Sequence, residues 1–430
     1  MNNLLFLSFQ CVQHSAARIV LLYSLSLFLN LFMLSLFLSF QCFARITRLS
    51  LVVAIHLCLE IGNPSQASNC IRICFMKTES NEAQERDWAS LPPDVLNLIA
   101  KLLNEITHFV RFRAVCPSWR SSTPVTYLAP QFPWILDKRK DPHDPNLSFY
   151  SIPFNKIYTI NAPSYRNKIL SGHSDGYMFT LSQRHQAVSL LNPLTNHDIP
   201  LPTYQFVGSP HWIGPQQTKM GEYVVCYGHS GHQSPKLVFC HPGQNYLQEL
   251  ELSSDYTDCH HFYLRGMLFS IERTSGATKV TNIADGTLAY VIPPIEGHLG
   301  NCAEYLVEDS RGDILRVPRY NPSFINSFDV YRLDVATKSG LPCWVKVNNI
   351  GNQALFMDRD GGFALRASHL SGIKENCVYF LKKIFIRVYM EPSYGIERMD
   401  IETGAKEHLP CPLKEPISWF VPSLRHLSAQ

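Results

Sequence analysis

Residues 129–430 contain 23 prolines, and that distribution constrains the fold more than any other feature of the chain. Proline removes a backbone donor and breaks a helix interior. Most apolar runs between the prolines are short and alternate with period two, as in Tyr177–Leu181, Tyr223–Tyr227, Lys236–Cys240, Met267–Ile271 and Asp329–Leu333. Short alternating strands bounded by Gly, Pro, Asn and Asp turns predict an all-β domain.

A weak internal repeat sharpens this expectation. Several predicted strands run into a short polar turn, at Leu191-Asn192-Pro193, Cys240-His241-Pro242, Asn282-Ile283-Ala284-Asp285, Leu333-Asp334-Val335 and Met399-Asp400-Ile401. Taking Asn192, His241, Asn282, Asp334 and Asp400 as markers, the separations are 49, 41, 52 and 66 residues. Repeats of about 40–50 residues with several short strands each are the signature of propeller blades. About six blades are expected from the length available. A ring needs a closure that leaves no open strand edge. Pro133-Trp134-Ile135-Leu136 opens the β region and Ile417-Ser418-Trp419-Phe420-Val421 ends it. These two aromatic-bearing segments are expected to share the closing blade or to lie in adjacent ones.

Upstream, the texture is helical. From Trp88 to Arg120, Ser90 is a helix N-cap candidate, with Pro92 and Pro93 at the start and Asp94 in the first turn. Leu91, Val95, Leu98, Ile99, Leu102 and Leu103 then recur at helical spacing. A second short helix is expected to carry Phe109, Phe112, Val115 and Cys116, and Pro117 ends it or opens a third turn bearing Trp119. About forty residues in such helices cannot bury this much apolar surface alone. The segment needs a partner.

Leu91-Pro92 followed by Asp94-Val95-Leu96, Ile99, and Arg111-Phe112-Arg113-Ala114-Val115-Cys116 leading to Ser118-Trp119-Arg120 resemble an F-box. That helical module docks F-box proteins onto the small Skp-type adaptor of cullin-based ubiquitin ligases. The β region is similar to the C-terminal, propeller-like domain of a large plant F-box family. Phe132-Pro133-Trp134-Ile135-Leu136, Leu190-Leu191-Asn192-Pro193-Leu194-Thr195, Tyr331-Arg332-Leu333-Asp334, Ala354-Leu355-Phe356-Met357-Asp358 and Trp419-Phe420-Val421-Pro422 carry that likeness in order. The resemblance implies a mainly β protein with a small α module: an F-box at 84–125 and a β-propeller-like domain at 130–425. It implies a substrate-recognition subunit of a Skp–cullin–F-box E3 ubiquitin ligase, a binding module and not an enzyme. Its partners would be a Skp-type adaptor, through it a cullin, and an unknown target protein. The adaptor-binding residues would be Leu91, Pro92, Val95, Leu96, Ile99, Leu102, Val115, Cys116 and Trp119. The alternative is an F-box scaffold or membrane-tethered interaction protein outside a ligase. Neither reading calls for a cofactor.

Charge and the N-terminus bound the remaining possibilities. Residues 1–75 carry Arg18, Arg45, Arg48 and Arg72 against Glu60, a local +3 equal to the net charge of the whole chain. Residues 76–430 are therefore neutral overall, without the basic balance that a nucleic-acid footprint needs. Ile19–Ala44 holds no charged residue and is long enough to span a bilayer. As a signal anchor it would keep the C-terminal side cytosolic, because Arg45 and Arg48 outweigh Arg18. Alternatively, Met76 starts the protein with a polar leader, and residues 1–75 are upstream sequence joined to the gene model. A ligase subunit is expected in the cytoplasm and nucleus. The 13 cysteines are irregularly spaced and give no disulfide framework.

Two constellations invite chemistry. Gly172-His173-Ser174-Asp175-Gly176 matches a hydrolase nucleophile elbow, but that motif needs a helix after it. Strand alternation follows here, so a hairpin turn is expected. Cys226, His229, His232, Cys240, His241, Cys259, His260 and His261 form a Cys/His-rich band whose uneven gaps suit turn and strand-end residues better than zinc. No metal site is expected. His211-Trp212 and Tyr256–Tyr263 are aromatic stretches that would serve either as interface anchors or as strand packing.

Overall fold

A computed structural model describes residues 88–425, apart from 175, 183–186, 203–210, 215–223, 229–235, 241–247, 257–258, 298–302, 321–326, 336–339, 359–360, 371 and 385–392. The expectations for residues 1–75 lie outside the described residues. Among the described residues no helix is long and apolar enough to cross a membrane. Residues 88–100 and 110–123 form one unit, and residues 101–109 and 124–425 form another.

Among the described residues, three α-helices precede the β region: α1 (Pro93–Leu102), α2 (Ile106–Arg113) and α3 (Pro117–Ser122). Ser90 ends a short 3-10 turn, Trp88–Ser90, and α1 begins three residues later at Pro93. Leu91 and Pro92 each precede a proline, which disfavours helical backbone. The helix therefore starts at Pro93, where the carbonyl of Pro92 accepts from the N–H groups of Val95 (3.0 Å) and Leu96 (3.2 Å). Pro117 acts in the same way on the next boundary. It leaves Cys116 extended (φ −158°, ψ 166°), so Val115 and Cys116 fall beyond the end of α2.

The second unit is built from six sheets among the described residues. One runs Lys168–Ser174, Tyr177–Ser182, Val188–Asn192, His197–Pro200. The next runs His211–Gly214, Val224–Gly228, Lys236–Cys240, Gln248–Glu251, and a third Cys259–Leu264, Met267–Glu272, Thr278–Asn282, Leu288–Ile292. The fourth contains Ala303–Glu308, Ile314–Tyr320, Tyr331–Asp334 and Cys343–Lys346, with Ser327–Phe328 added to its second strand. The fifth orders Gly362–Arg366, Gln353–Met357, Cys377–Ile384, Ser393–Asp400 and Lys406–Leu409. Its Gln353–Met357 and Cys377–Ile384 strands pair in parallel. In four of these sheets the repeat markers Asn192, Asn282, Asp334 and Asp400 end the strand that leads into the outermost one, while His241 lies outside the described residues. That recurring hairpin is the physical origin of the sequence repeat.

The sixth sheet joins the two ends of the domain. Pro416–Phe420 pairs with Trp134–Asp137, followed by Asn146–Ser151 and Lys156–Asn161. Trp134 lies opposite Phe420 and Ile135 opposite Trp419, so the two aromatic segments share one sheet, the first of the two expected placements. Core clusters bridge neighbouring sheets. Tyr305, Val317, Leu355 and Phe380 pack together, as do Ile135, Phe356, Tyr379 and Trp419. Apolar faces thus close on one another from sheet to sheet, which is what propeller packing requires.

After the closing strand, the chain crosses to the sheet that begins at Lys168. Asn192 Nδ2 donates to the carbonyls of Ser423 (3.0 Å) and Arg425 (3.3 Å). Gly176, at φ +82°, lies so close that an added Cβ would stand 2.3 Å from Ser423 Cβ. Gly176→Ala is therefore expected to lower stability by about 1–3 kcal/mol, combining overpacking with left-handed strain. Chemical denaturation checks this, and an unchanged midpoint would show that the tail yields freely.

Candidate functional site

The helical region presents two apolar stripes where a helix in a monomeric domain needs one. Leu96, Ile99, Ala100 and Leu103 recur at i, i+3, i+4 and i+7 and are buried. Leu91, Val95, Leu98 and Leu102 follow a second register, spaced four, three and four. Leu91 and Val95 are half-buried, while Leu98 is 49% and Leu102 56% exposed. An exposed apolar stripe beside a satisfied one leaves apolar surface uncovered within the protein. Val110 (44%) and Val115 (58%) add exposed apolar surface on and after α2.

The sequence-derived contact set divides accordingly. Pro92, Leu102 and Val115 are exposed; Leu91, Val95 and Cys116 are half-buried. Leu96, Ile99 and Trp119 are buried within the protein, which corrects the expectation that so small a module leaves them uncovered. For Trp119 the reason is local. Trp119 packs on Phe112 with ring centroids 4.6 Å apart, and its carbonyl accepts from Thr123 Oγ1 at 2.6 Å. The Cys116 sulfur caps α3 by accepting from Trp119 N–H at 3.5 Å. Arg113 Nε donates to the Thr123 carbonyl at 2.7 Å and so fastens the end of the segment. Burial, then the nearby Arg120 charge, pulls the Arg113 pKa below its ordinary value.

Leu98 belongs with the exposed stripe although it was absent from the expected contact set. Its spacing from Val95 and Leu102 was the available signal. Glu105 was also missed. Lying one residue before α2, it is buried, its carbonyl accepts from Phe109 N–H at 3.0 Å, and its carboxylate accepts from Tyr158 Oη and Thr107 Oγ1. Tyr158 in turn stacks on Trp134 at 4.6 Å. An acidic residue at a helix N-terminus was the legible part of that arrangement.

Only part of each chemical constellation falls on described residues. Gly172–Ser174 ends one strand and Tyr177 begins its antiparallel neighbour, so the serine motif is a hairpin and not a strand-to-helix elbow; Asp175 lies outside the described residues. In the Cys/His band, His229, His232 and His241 lie outside the described residues. His261 is buried, with Nδ1 2.9 Å from Ser270 Oγ and Nε2 3.1 Å from the Tyr256 carbonyl, so both ring nitrogens are engaged. Among the described residues, no three His, Cys, Asp or Glu side chains group as metal ligands. Tyr256, Phe262 and Tyr263 are buried core residues, which makes them packing and not surface anchors.

Comparison with known proteins follows the same division. Residues 88–123 match the F-box domain family and residues 149–404 the KIB1-4 beta-propeller family. The Arabidopsis thaliana F-box protein SKIP23 is 23% identical over 359 residues, covering 70% of this chain and 85% of its own. F-box protein At2g26160 of the same plant is 22% identical over 347 residues, 70% of this chain and 97% of its own. F-box protein At2g17036 is 53% identical over a 36-residue stretch, 8% of this chain and 9% of its own. With the propeller family matched across more than half of its length, the chain belongs to the KIB1-4 beta-propeller family, as a plant F-box protein with a C-terminal propeller.

Proposed function

We propose that this protein is the substrate-recognition subunit of a Skp–cullin–F-box ubiquitin ligase, with residues 84–125 docking a Skp-type adaptor and residues 130–425 capturing a target protein. The observation that carries the reading is the second apolar stripe of α1, exposed at Leu98 and Leu102 within the segment that matches the F-box family. A solvent-facing row of leucines in an otherwise satisfied helix costs solubility unless a partner covers it. In this reading Leu91, Pro92, Val95, Leu98, Leu102 and Val115 meet the adaptor. Leu96, Ile99 and Trp119 hold that surface in shape from within, and Cys116 does so by capping α3.

Tethering converts target modification into a proximity problem. An adaptor-bound propeller raises the effective concentration of target lysines near the ubiquitin-carrying enzyme, whose reactive cysteine lies on another subunit. The reading places the protein at work in the cytoplasm and nucleus. The test is adaptor capture by the full-length protein and by the Leu98→Ala, Leu102→Ala double variant. If the stripe is the desolvated centre of the interface, the double variant binds about 2–4 kcal/mol more weakly with an unchanged thermal melt. Adaptor capture equal to wild type would remove the docking assignment.

A further inference from the structure

Four arginines from three neighbouring sheets converge on one hairpin turn, Glu308 to Asp313. Arg265 Nη2 donates to Glu308 Oε1 and to the Gly312 carbonyl, each at 2.6 Å. Gly312 (φ +91°) makes that approach possible, since a Cβ there would stand 2.5 Å from the same guanidinium nitrogen. Arg311 grips Asp309 Oδ2 through Nε (3.1 Å) and Nη2 (2.9 Å). Arg366 Nη2 donates to the Ser310 carbonyl at 3.1 Å. Arg332 Nη1 comes no closer than 3.8 Å to Asp313, and Arg311 Nη2 stands at the same distance from that carboxylate.

Exposure decides what this surface offers. The side chains of Arg265, Arg311 and Arg332 are 52%, 47% and 44% exposed, and Arg366 is exposed. The Asp309 side chain is 0% exposed and spent on the turn itself, where it also accepts from Gln353 Nε2 at 2.9 Å. Among the described residues of this turn and its arginines, solvent therefore meets four cations against two carboxylates, Glu308 and Asp313. Three of the four guanidinium groups are held in place by bonds that leave other N–H donors unused, so little side-chain entropy remains to be lost on binding. The fourth, Arg332, and the carboxylate of Asp313 are only loosely engaged and can exchange for a stronger anion.

We propose that this arginine-ringed turn is a target-contact surface of the propeller and that it takes an acidic peptide segment, bearing carboxylates or phosphates, of the captured protein. The inference rests on the target-recognition reading above. Guanidinium forks match both kinds of anionic oxygen in paired geometry, and charge complementarity of this type gives specificity and fast association.

The test uses the full-length protein and fluorescence anisotropy with three labelled twelve-residue peptides, one rich in glutamate, one with phosphoserines and one rich in lysine. Wild type is expected to bind at least one anionic peptide at least tenfold more tightly than the lysine peptide, with affinity falling as salt rises. The double variant Arg332→Gln, Arg366→Gln touches the two arginines with the lightest structural duties. It is expected to weaken anionic-peptide binding at least fivefold with an unchanged melt. Lys346→Gln, an exposed cation paired to Asp329 on the same sheet, is expected to change nothing. Equal binding by the arginine variant, equal loss in Lys346→Gln, or binding to phosphatidylserine vesicles but to neither anionic peptide would each overturn the proposal. Adaptor capture is measured alongside: its loss in wild type would strike the ligase reading, whereas arginine-independent peptide binding would strike only this one.

Discussion

Deleting residues 416–430 is expected to unfold the β unit and not merely to trim it. The deleted strand is the partner of Trp134–Asp137, and without it that strand faces an open edge while the sheet beginning at Lys168 loses its tail contacts. The loss is concentrated in one side chain. Trp419 is fully buried, its ring centroid stands 5.1 Å from Phe356 in an edge-on arrangement, and its Nε1–H donates to the Met357 carbonyl at 2.9 Å. The strand also neutralises a buried acceptor. Asp358 Oδ2 takes bonds from Ser418 Oγ (2.8 Å) and Trp419 N–H (3.0 Å), and His173 Nε2 stands 3.4 Å away on a different sheet. Trp419→Ala alone is expected to cost about 3–5 kcal/mol, lowering the melting temperature by roughly 10 °C in a domain of this size. Circular dichroism melts of the variant and the truncation check both values, with adaptor capture expected to survive. A truncation that melts like the intact protein would mean that the ring closes without this strand.

The second large effect concerns a charge pair that no solvent reaches. Arg316 is fully buried; its Nε and Nη2 donate to the two carboxylate oxygens of Glu304 at 3.1 and 2.8 Å, and Nη1 reaches the Gly276 carbonyl of the neighbouring sheet at 2.9 Å. The guanidinium also lies 5.7 Å from the Trp344 ring centroid. Such a pair contributes little net stability against an apolar replacement, yet breaking it strands a charge in low dielectric. Glu304→Gln is expected to cost about 3–5 kcal/mol in urea unfolding, and Glu304→Leu with Arg316→Met to return within about 1 kcal/mol of wild type. A silent single variant would show that water reaches the guanidinium after all.

These two sites mark the boundary between what the residues announce and what they conceal. Strand positions were legible because side chains alternate across a pleated strand and turns demand Asn, Asp, Gly or Pro, both local rules. Lys236–Cys240 matches its expected span, and Met267–Ile271 extends by one residue. Helix boundaries were less legible, since two prolines in a row moved the start of α1 past Ser90 and Pro117 cut α2 short of Val115. In the helical region, spacing revealed an apolar helix but not which of its two stripes the protein covers itself. Leu96 and Leu98 read alike in sequence, and one is buried while the other is half exposed.

The sequence by itself determined the class of fold, the repeat, the meeting of both ends of the domain at its closure and the presence of a helical module rich in apolar surface, because each follows from local periodicity or from the need to leave no open edge. Only the tertiary structure decided that Trp119 turns inward onto Phe112, that Asp358 ties the closing strand, and that Arg265, Arg311, Arg332 and Arg366 gather on one turn. These residues are far apart along the chain or carry no periodic signal, so their proximity is set by how sheet stacks on sheet, a packing outcome that no single stretch of residues encodes.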